Sequence, residues 1–279
     1  MRGIDQKFID DLRSGELEWF LKQVHEKRDV LSLEIREGFI NIYYRGGSLL
    51  RIEQRTDGYS FSFNANYCLN KGDESAYPVL STLKPDSAND YIENFSSMMD
   101  EMDSWFKAHP KNEREYQHIL SMHNPSVIDI EYQINYTDNN GEAKGMSLDM
   151  IAVQDDKLIV IENKYGMGAI RGTAGLSKHY ADICMILSDT GLYSELIQSM
   201  IKISNAKYQL GLTDKTLDFI DPDKKEILFL LADYNKRSKT VQLEIANMEY
   251  IFPAKLLIMD KTEYIIDYKK AEDLFTYGC

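Results

Sequence analysis

The spacing of apolar and polar positions changes several times along this chain, and each change marks an element. From Asp5 to about Arg28 apolar residues recur at helical spacing (Phe8, Leu12, Trp19, Phe20, Val24), with a break at Ser14-Gly15. Three or four short strands follow, from the runs Leu31–Ile35, Phe39–Tyr44, Leu49–Gln54 and Tyr59–Phe63. Gly46-Gly47 and Asp57-Gly58 supply turns between them. Their aromatics resemble a stacking platform in composition, but alternating rings in strands are the usual content of a core. Ser87–Ala108 returns to a helical stripe of Tyr91, Phe95, Met98, Met99, Met102, Trp105 and Phe106, read as core or domain interface. His109-Pro110 interrupts the pattern, because the residue before proline is disfavoured in helix. It divides an N-terminal α+β accessory domain (1–109) from a second domain (110–279).

The second domain opens with a helix over Lys111–Met122, with Tyr116, Ile119, Leu120 and His123 inward. Val127–Tyr136 then alternates cleanly. Ile128, Ile130, Tyr132 and Ile134 share one face; Asp129, Glu131, Gln133 and Asn135 share the other, expected to meet solvent from an edge strand. Asp138-Asn139-Asn140-Gly141 reads as a turn. Two β-type runs follow, then helices at about Thr173–Leu187 and Tyr193–Tyr208, a buried strand Glu226–Tyr234, a helix Val241–Met248, and a last strand or hairpin within Leu256–Tyr268. The order predicts an α/β domain (α+β overall), a mixed central β-sheet flanked by helices.

The two β-type runs are Ser147–Val153 and Leu158–Lys164, joined by Gln154-Asp155-Asp156-Lys157. A symmetric two- or four-residue hairpin loop pairs residues whose numbers sum to 311, so Asp149 falls opposite Glu162, with Cβ atoms about 5 Å apart. Lys164 lies two residues on, on the face of Glu162, beside an apolar patch of Ile151, Val153, Leu158 and Val160. Two facing carboxylates repel unless something positive lies between them, and a hard divalent cation such as Mg²⁺ prefers carboxylate oxygen. The competing account is a solvated salt-bridge cluster on a sheet surface.

The formal charge of −13 speaks against a protein that coats nucleic acid nonspecifically. It leaves room for a local basic surface. Asn163–Ala181 contains no acid and carries Lys164, Arg171, Lys178 and His179. No apolar run reaches the roughly 18 residues of a membrane span, and the longest, Ile227–Ala232, has the length of a buried strand. Cys68, Cys184 and Cys279 show no metal-type spacing. With no apolar signal-peptide core after Met1, a cytoplasmic protein with no membrane partner is expected.

A helix, then three strands with an Asp on the second and Glu-x-Lys on the third, then a helix, resembles the PD-(D/E)xK nuclease superfamily, also called restriction-endonuclease-like. The resemblance covers about Lys111 to Tyr268. Asp149 matches the motif Asp, Glu162 the acidic position and Lys164 the Lys, while Leu148 stands in place of the proline. Lys178-His179-Tyr180 is the nearest approach to the Gln-x-x-x-Tyr of the following helix, without its Gln. Glu113, with Glu115 as fallback, matches the Glu that many members carry on the first core helix.

The resemblance implies hydrolysis of phosphodiester bonds, with DNA as the expected substrate and a defence or DNA-processing role. Mg²⁺, or Mn²⁺, would be held by Asp149, Glu162 and the Asn163 carbonyl, with Lys164 assisting the attacking water. Arg171, Lys178, His179 and Tyr180 are candidate contacts to substrate phosphate. Many such nucleases act as homodimers. The alternative is a catalytically inactive nuclease-like module that docks a protein partner through its acidic surface.

Other motifs carry less. Gly166-x-Gly168-x-x-x-Gly172 has one residue too many for a dinucleotide fingerprint and is read as a loop at the mouth of the site. Asp221-Pro222-Asp223 precedes a strand with no Glu-x-Lys partner. The five histidines lack zinc spacing. Glu131 is retained as a remote extra ligand.

Overall fold

The computed structural model describes residues 2–67, 88–137, 141–166, 170, 172, 175–235 and 238–274. It is an α+β protein with a four-stranded antiparallel sheet, a six-stranded mixed sheet and, among the described residues, seven α-helices. Chain contacts group it into two compact units: Met1–Met122 with Lys202–Thr216, and His123–Ile201 with Leu217–Cys279.

The first unit holds α1 (Gln6–Ser14), α2 (Glu18–Glu26), the strands β1 (Leu31–Ile35), β2 (Phe39–Tyr44), β3 (Gly47–Arg55) and β4 (Gly58–Ser62), then α3 (Ala88–Ala108) and α4 (Asn112–His123). Asp5 starts α1 by accepting a hydrogen bond from the Phe8 amide at 2.8 Å, which satisfies one of the open donors of the first turn. The strands pair in the order β1-β2-β3-β4. Arg45-Gly46 turns β2 into β3 with φ of 51° and 75°, the left-handed pair that a two-residue hairpin turn requires. Gly46 cannot be replaced there, since a Cβ would lie 2.4 Å from the Arg114 carbonyl oxygen. Arg45 is held in its strained conformation by ion pairs to Asp103 at 2.9 Å and Glu115 at 2.8 Å.

Phe8 packs on Tyr59, and Phe61 on both Phe20 and Tyr91, with centroids 4.8–5.6 Å apart and every ring buried. They form a core, as alternation in strands predicts. On α4, Gln117 and His118 are buried with Tyr116 and Leu120, while His123, expected inward, is exposed. His118 Nε2 lies 3.0 Å from Ser32 Oγ, and this contact phases the helix.

The second unit contains β5 (Val127–Thr137), β6 (Ala143–Gln154), β7 (Lys157–Tyr165), α5 (Leu176–Ser188), α6 (Thr190–Gln209) as far as Ile201, β8 (Lys225–Ala232), α7 (Lys239–Ala246), β9 (Ala254–Met259) and the short β10 (Glu272–Asp273). The sheet order is β10-β9-β8-β7-β6-β5. β5, β6 and β7 form an antiparallel meander; β8 and β9 are added parallel to β7. β7 and β8 are buried along most of their length, as strands covered on both faces must be. α5 packs on one face, where Tyr180 meets Phe229 with centroids 6.5 Å apart. α6 packs on the other, where Ser199 Oγ meets the Tyr132 hydroxyl at 3.1 Å.

The sequence pattern and the structure part company in two further places. α4, expected at the head of the second domain, groups with the first unit up to Met122. The register of β5 shifts by one residue between Val127 and Asp129, and Asp129, expected in solvent, is fully buried. It pairs with Ile151, on the face that also carries Asp149 and Glu162, so the face assigned to solvent is enclosed there. Cys68, Cys279, Arg171, Gly168 and the turn residues Asp138 to Asn140 lie outside the described residues.

Candidate functional site

The site is built on the β6–β7 hairpin. Asp155 and Asp156 close it as a two-residue turn with φ of 52° and 63°. The turn sets the pairing, Gln154↔Lys157 through Met150↔Ile161, whose numbers sum to 311 as expected. Asp149 and Glu162 occupy the next position of this register. They approach at the end of the ladder, where the Asn163 amide donates to Asp149 Oδ2 at 2.9 Å. Asn163 therefore serves Asp149 through its backbone, while its own side chain is fully buried on the opposite face.

Three side chains converge on Glu162. Lys164 Nζ stands 2.6 Å from Glu162 Oε1, and His179 Nδ1 stands 3.2 Å from the same oxygen. Asp149 is close enough for its charge to act on the pair. Glu162 is 2 % and Lys164 8 % exposed. Those values exclude a solvated surface cluster, which leaves its charges in water; this one is enclosed. Phe229 on β8 is level with Glu162 and supplies an apolar wall.

Burial is the main cause of a strong upward shift of the Asp149 carboxyl. The Glu162 charge adds to it, Lys164 and the Asn163 amide oppose it, and Glu131 adds a smaller upward push. His179 is lowered to about 4, first by burial and then by Lys164, so the imidazole is neutral at pH 7.

Glu131 enters the site by register. The pairs Ile130↔Met150 and Tyr132↔Leu148 place it level with Asp149 on the neighbouring strand, and its φ of 51° is unusual within a strand. Sequence alternation showed that Asp129, Glu131 and Gln133 share a face. It did not show that this face continues the one carrying Asp149, because that depends on the β5–β6 register.

The other candidates are dispersed. Tyr180 is buried, and its hydroxyl accepts from the Ile251 and Phe252 amides at 2.7 and 2.9 Å and donates to the Phe252 carbonyl at 3.0 Å. One donor and two acceptor positions are thereby filled, which makes Tyr180 an anchor for α5. Lys178 is exposed and ion-paired with Asp182. Glu113 is exposed on the first turn of α4, in the first unit; Glu115 is committed to Arg45.

Among the described residues no group of three or more His, Cys, Asp or Glu is arranged to hold a metal ion by itself, and no helix is long and apolar enough to cross a membrane. Comparison of the chain with protein-family models, with curated proteins and with solved structures finds no match.

Proposed function

We propose that the six-stranded unit is a restriction-endonuclease-like core, and that the protein is a Mg²⁺-dependent nuclease that hydrolyses phosphodiester bonds of DNA. The observation that carries this reading is the placement of Asp149, Glu162 and Lys164 together, enclosed, at the end of one hairpin ladder. The strand order supports it: an antiparallel meander with Asp on its second strand and Glu-x-Lys on its third, then a helical crossover to a parallel strand.

The donor set fits Mg²⁺. This ion is commonly held by one or two carboxylates, with water and substrate phosphate completing its shell. A site of two protein carboxylates therefore needs no third acid, and the upward shift of Asp149 marks a place where added positive charge is favoured. Asp149 and Glu162 would hold the ion, with the Asn163 carbonyl as a further ligand; Mn²⁺ would substitute. When bound, such an ion supplies charge neutralisation at the phosphate and a more acidic water. Lys164 would hold the attacking water or meet the charge that develops on phosphate oxygen. The first unit would serve substrate selection or a homodimer contact.

The test is calorimetric titration of Mg²⁺ and Mn²⁺ into the wild type and the Asp149→Ala/Glu162→Ala double variant, with a cleavage assay on mixed nucleic acids. Binding that disappears in the double variant, with cation-dependent cleavage by wild type, is the expected result. Lys164→Met, which keeps the volume of the buried side chain, is expected to lower cleavage by about 10²–10³-fold, as loss of a transition-state donor does. A second reading, a noncatalytic module that docks a basic protein partner, draws on the formal charge of −13. Absence of cation binding by folded wild type, with and without DNA, would decide for it.

A further inference from the structure

We infer that His179 is a positioning residue for Glu162: the imidazole, delivered by the first turn of α5, holds the carboxylate through Nδ1 and keeps it directed toward the cation it shares with Asp149. This rests on the metal reading above and assigns His179 a task other than contact with substrate phosphate.

Three observations carry it. His179 Nδ1 lies 3.2 Å from Glu162 Oε1, so the ring presents a nitrogen to a buried acid. For the ring to hold this carboxylate its proton must lie on Nδ1, because a carboxylate can only accept. Lys164 reaches the same oxygen at 2.6 Å. One flexible ammonium fixes a distance but not an orientation, and a planar ring on the same oxygen adds the missing restraint.

The third observation is that the helical turn carrying the ring is itself held. Its neighbour Tyr180 is tied to the backbone of Ile251 and Phe252. Two residues earlier, the Ser177 amide and hydroxyl both donate to Glu244 Oε2, at 3.1 and 2.8 Å. Glu244 thus caps α5, whose own N-cap residue, Gly175, has no side chain to do so. His179 sits between two anchored residues, the placement expected of a group that orients a ligand.

Two measurements test this on the full chain. In Mg²⁺ calorimetry, His179→Ala is expected to weaken binding by roughly 10–100-fold, while His179→Asn, whose amide nitrogen takes the place of Nδ1, stays within about threefold of wild type. His179→Ala with wild-type affinity would overturn the inference, as would equal losses in the two variants; thermal melting establishes that each is folded. The second measurement is ¹⁵N NMR of the His179 ring. The expected result is an Nδ1–H tautomer in wild type that reverts to Nε2–H in Glu162→Ala; an Nε2–H tautomer in wild type overturns the inference. If wild type binds no Mg²⁺, the metal reading fails, and the tautomer alone decides whether His179 positions Glu162.

Discussion

The four-stranded and six-stranded sheets each bury a glutamate, and surround it differently. In the first, Glu34 on β1 is 3 % exposed and meets Lys207 at 2.7 Å. In the second, Glu226 on β8 is 6 % exposed and lies between Lys157 at 2.9 Å and Lys255 at 3.2 Å, one acid to two bases. Glu162, on the other face of that sheet, has Lys164 and a neutral His179 but also Asp149 beside it and Glu131 level with that Asp. Here like charges act on one another: Glu162 and, less strongly, Glu131 push the Asp149 carboxyl up. A fold optimised only for stability has no use for that arrangement, since like charges in an enclosed site raise one another's cost of ionisation. Glu34 and Glu226 show this chain setting buried acids against lysines where structure is all that is at stake. The face that gathers like charges is where we place function.

The comparison breaks if the ordinary pair proves dispensable, and this is the largest effect expected on stability. Lys207→Met removes the cation from a glutamate that stays buried. The expected cost is about 3 kcal/mol, because a buried carboxylate loses an ion-pair partner without regaining water. Urea unfolding at neutral pH measures it. A change below roughly 0.5 kcal/mol, the scale of an exposed pair, would show that burial of Glu34 places no demand for compensation.

A second substitution separates frame from site within the six-stranded unit. Tyr180→Phe leaves the Ile251 and Phe252 amides without their acceptor. A buried donor that loses its partner costs roughly 1–3 kcal/mol; these bonds are only part-buried and the freed amides regain some water, so about 1.5 kcal/mol of stability should be lost. Mg²⁺ affinity should change little, because the hydroxyl is directed at the backbone. A variant of unchanged stability but weakened phosphate or cation binding would return Tyr180 to the site.

How far the sequence could be read follows from what each feature depends on. The β6–β7 register was legible because a symmetric two-residue turn between β-type runs leaves one pairing that aligns the apolar faces. Asp149, Glu162 and Lys164 inherit their positions from that turn, so they were legible too. Asp129 and Glu131 were not, because a one-residue shift in β5 and an antiparallel partner are needed to know which face is continuous with which. Tyr180 and His179 are adjacent on one helix. Their separate tasks, anchoring and contact with Glu162, depend on how α5 is rotated over the sheet. That rotation is set by Glu244 and by the backbone at Ile251 and Phe252, far away in sequence.

The smallest expected effect sharpens the comparison most, because it has the opposite sign. Asp149→Asn removes one like charge and keeps an oxygen for the Asn163 amide, so it should stabilise the fold by about 1 kcal/mol at pH 8 in the absence of divalent cation, as is common when a functional site gives up its chemistry. The sign follows from the direction of the shift. The folded carboxyl titrates well above its usual 3.8, so the folded state holds this proton more tightly than the unfolded chain. Below that usual value both states are protonated and the contribution is constant; above it stability falls as pH rises toward the folded-state value. The Asn variant lacks this decline, so the two unfolding curves should agree near pH 4 and separate as pH increases. Added Mg²⁺ should close the gap by stabilising wild type alone. Parallel pH profiles would mean that Asp149 carries no penalty, and the like charges gathered on this face would then cost the fold nothing.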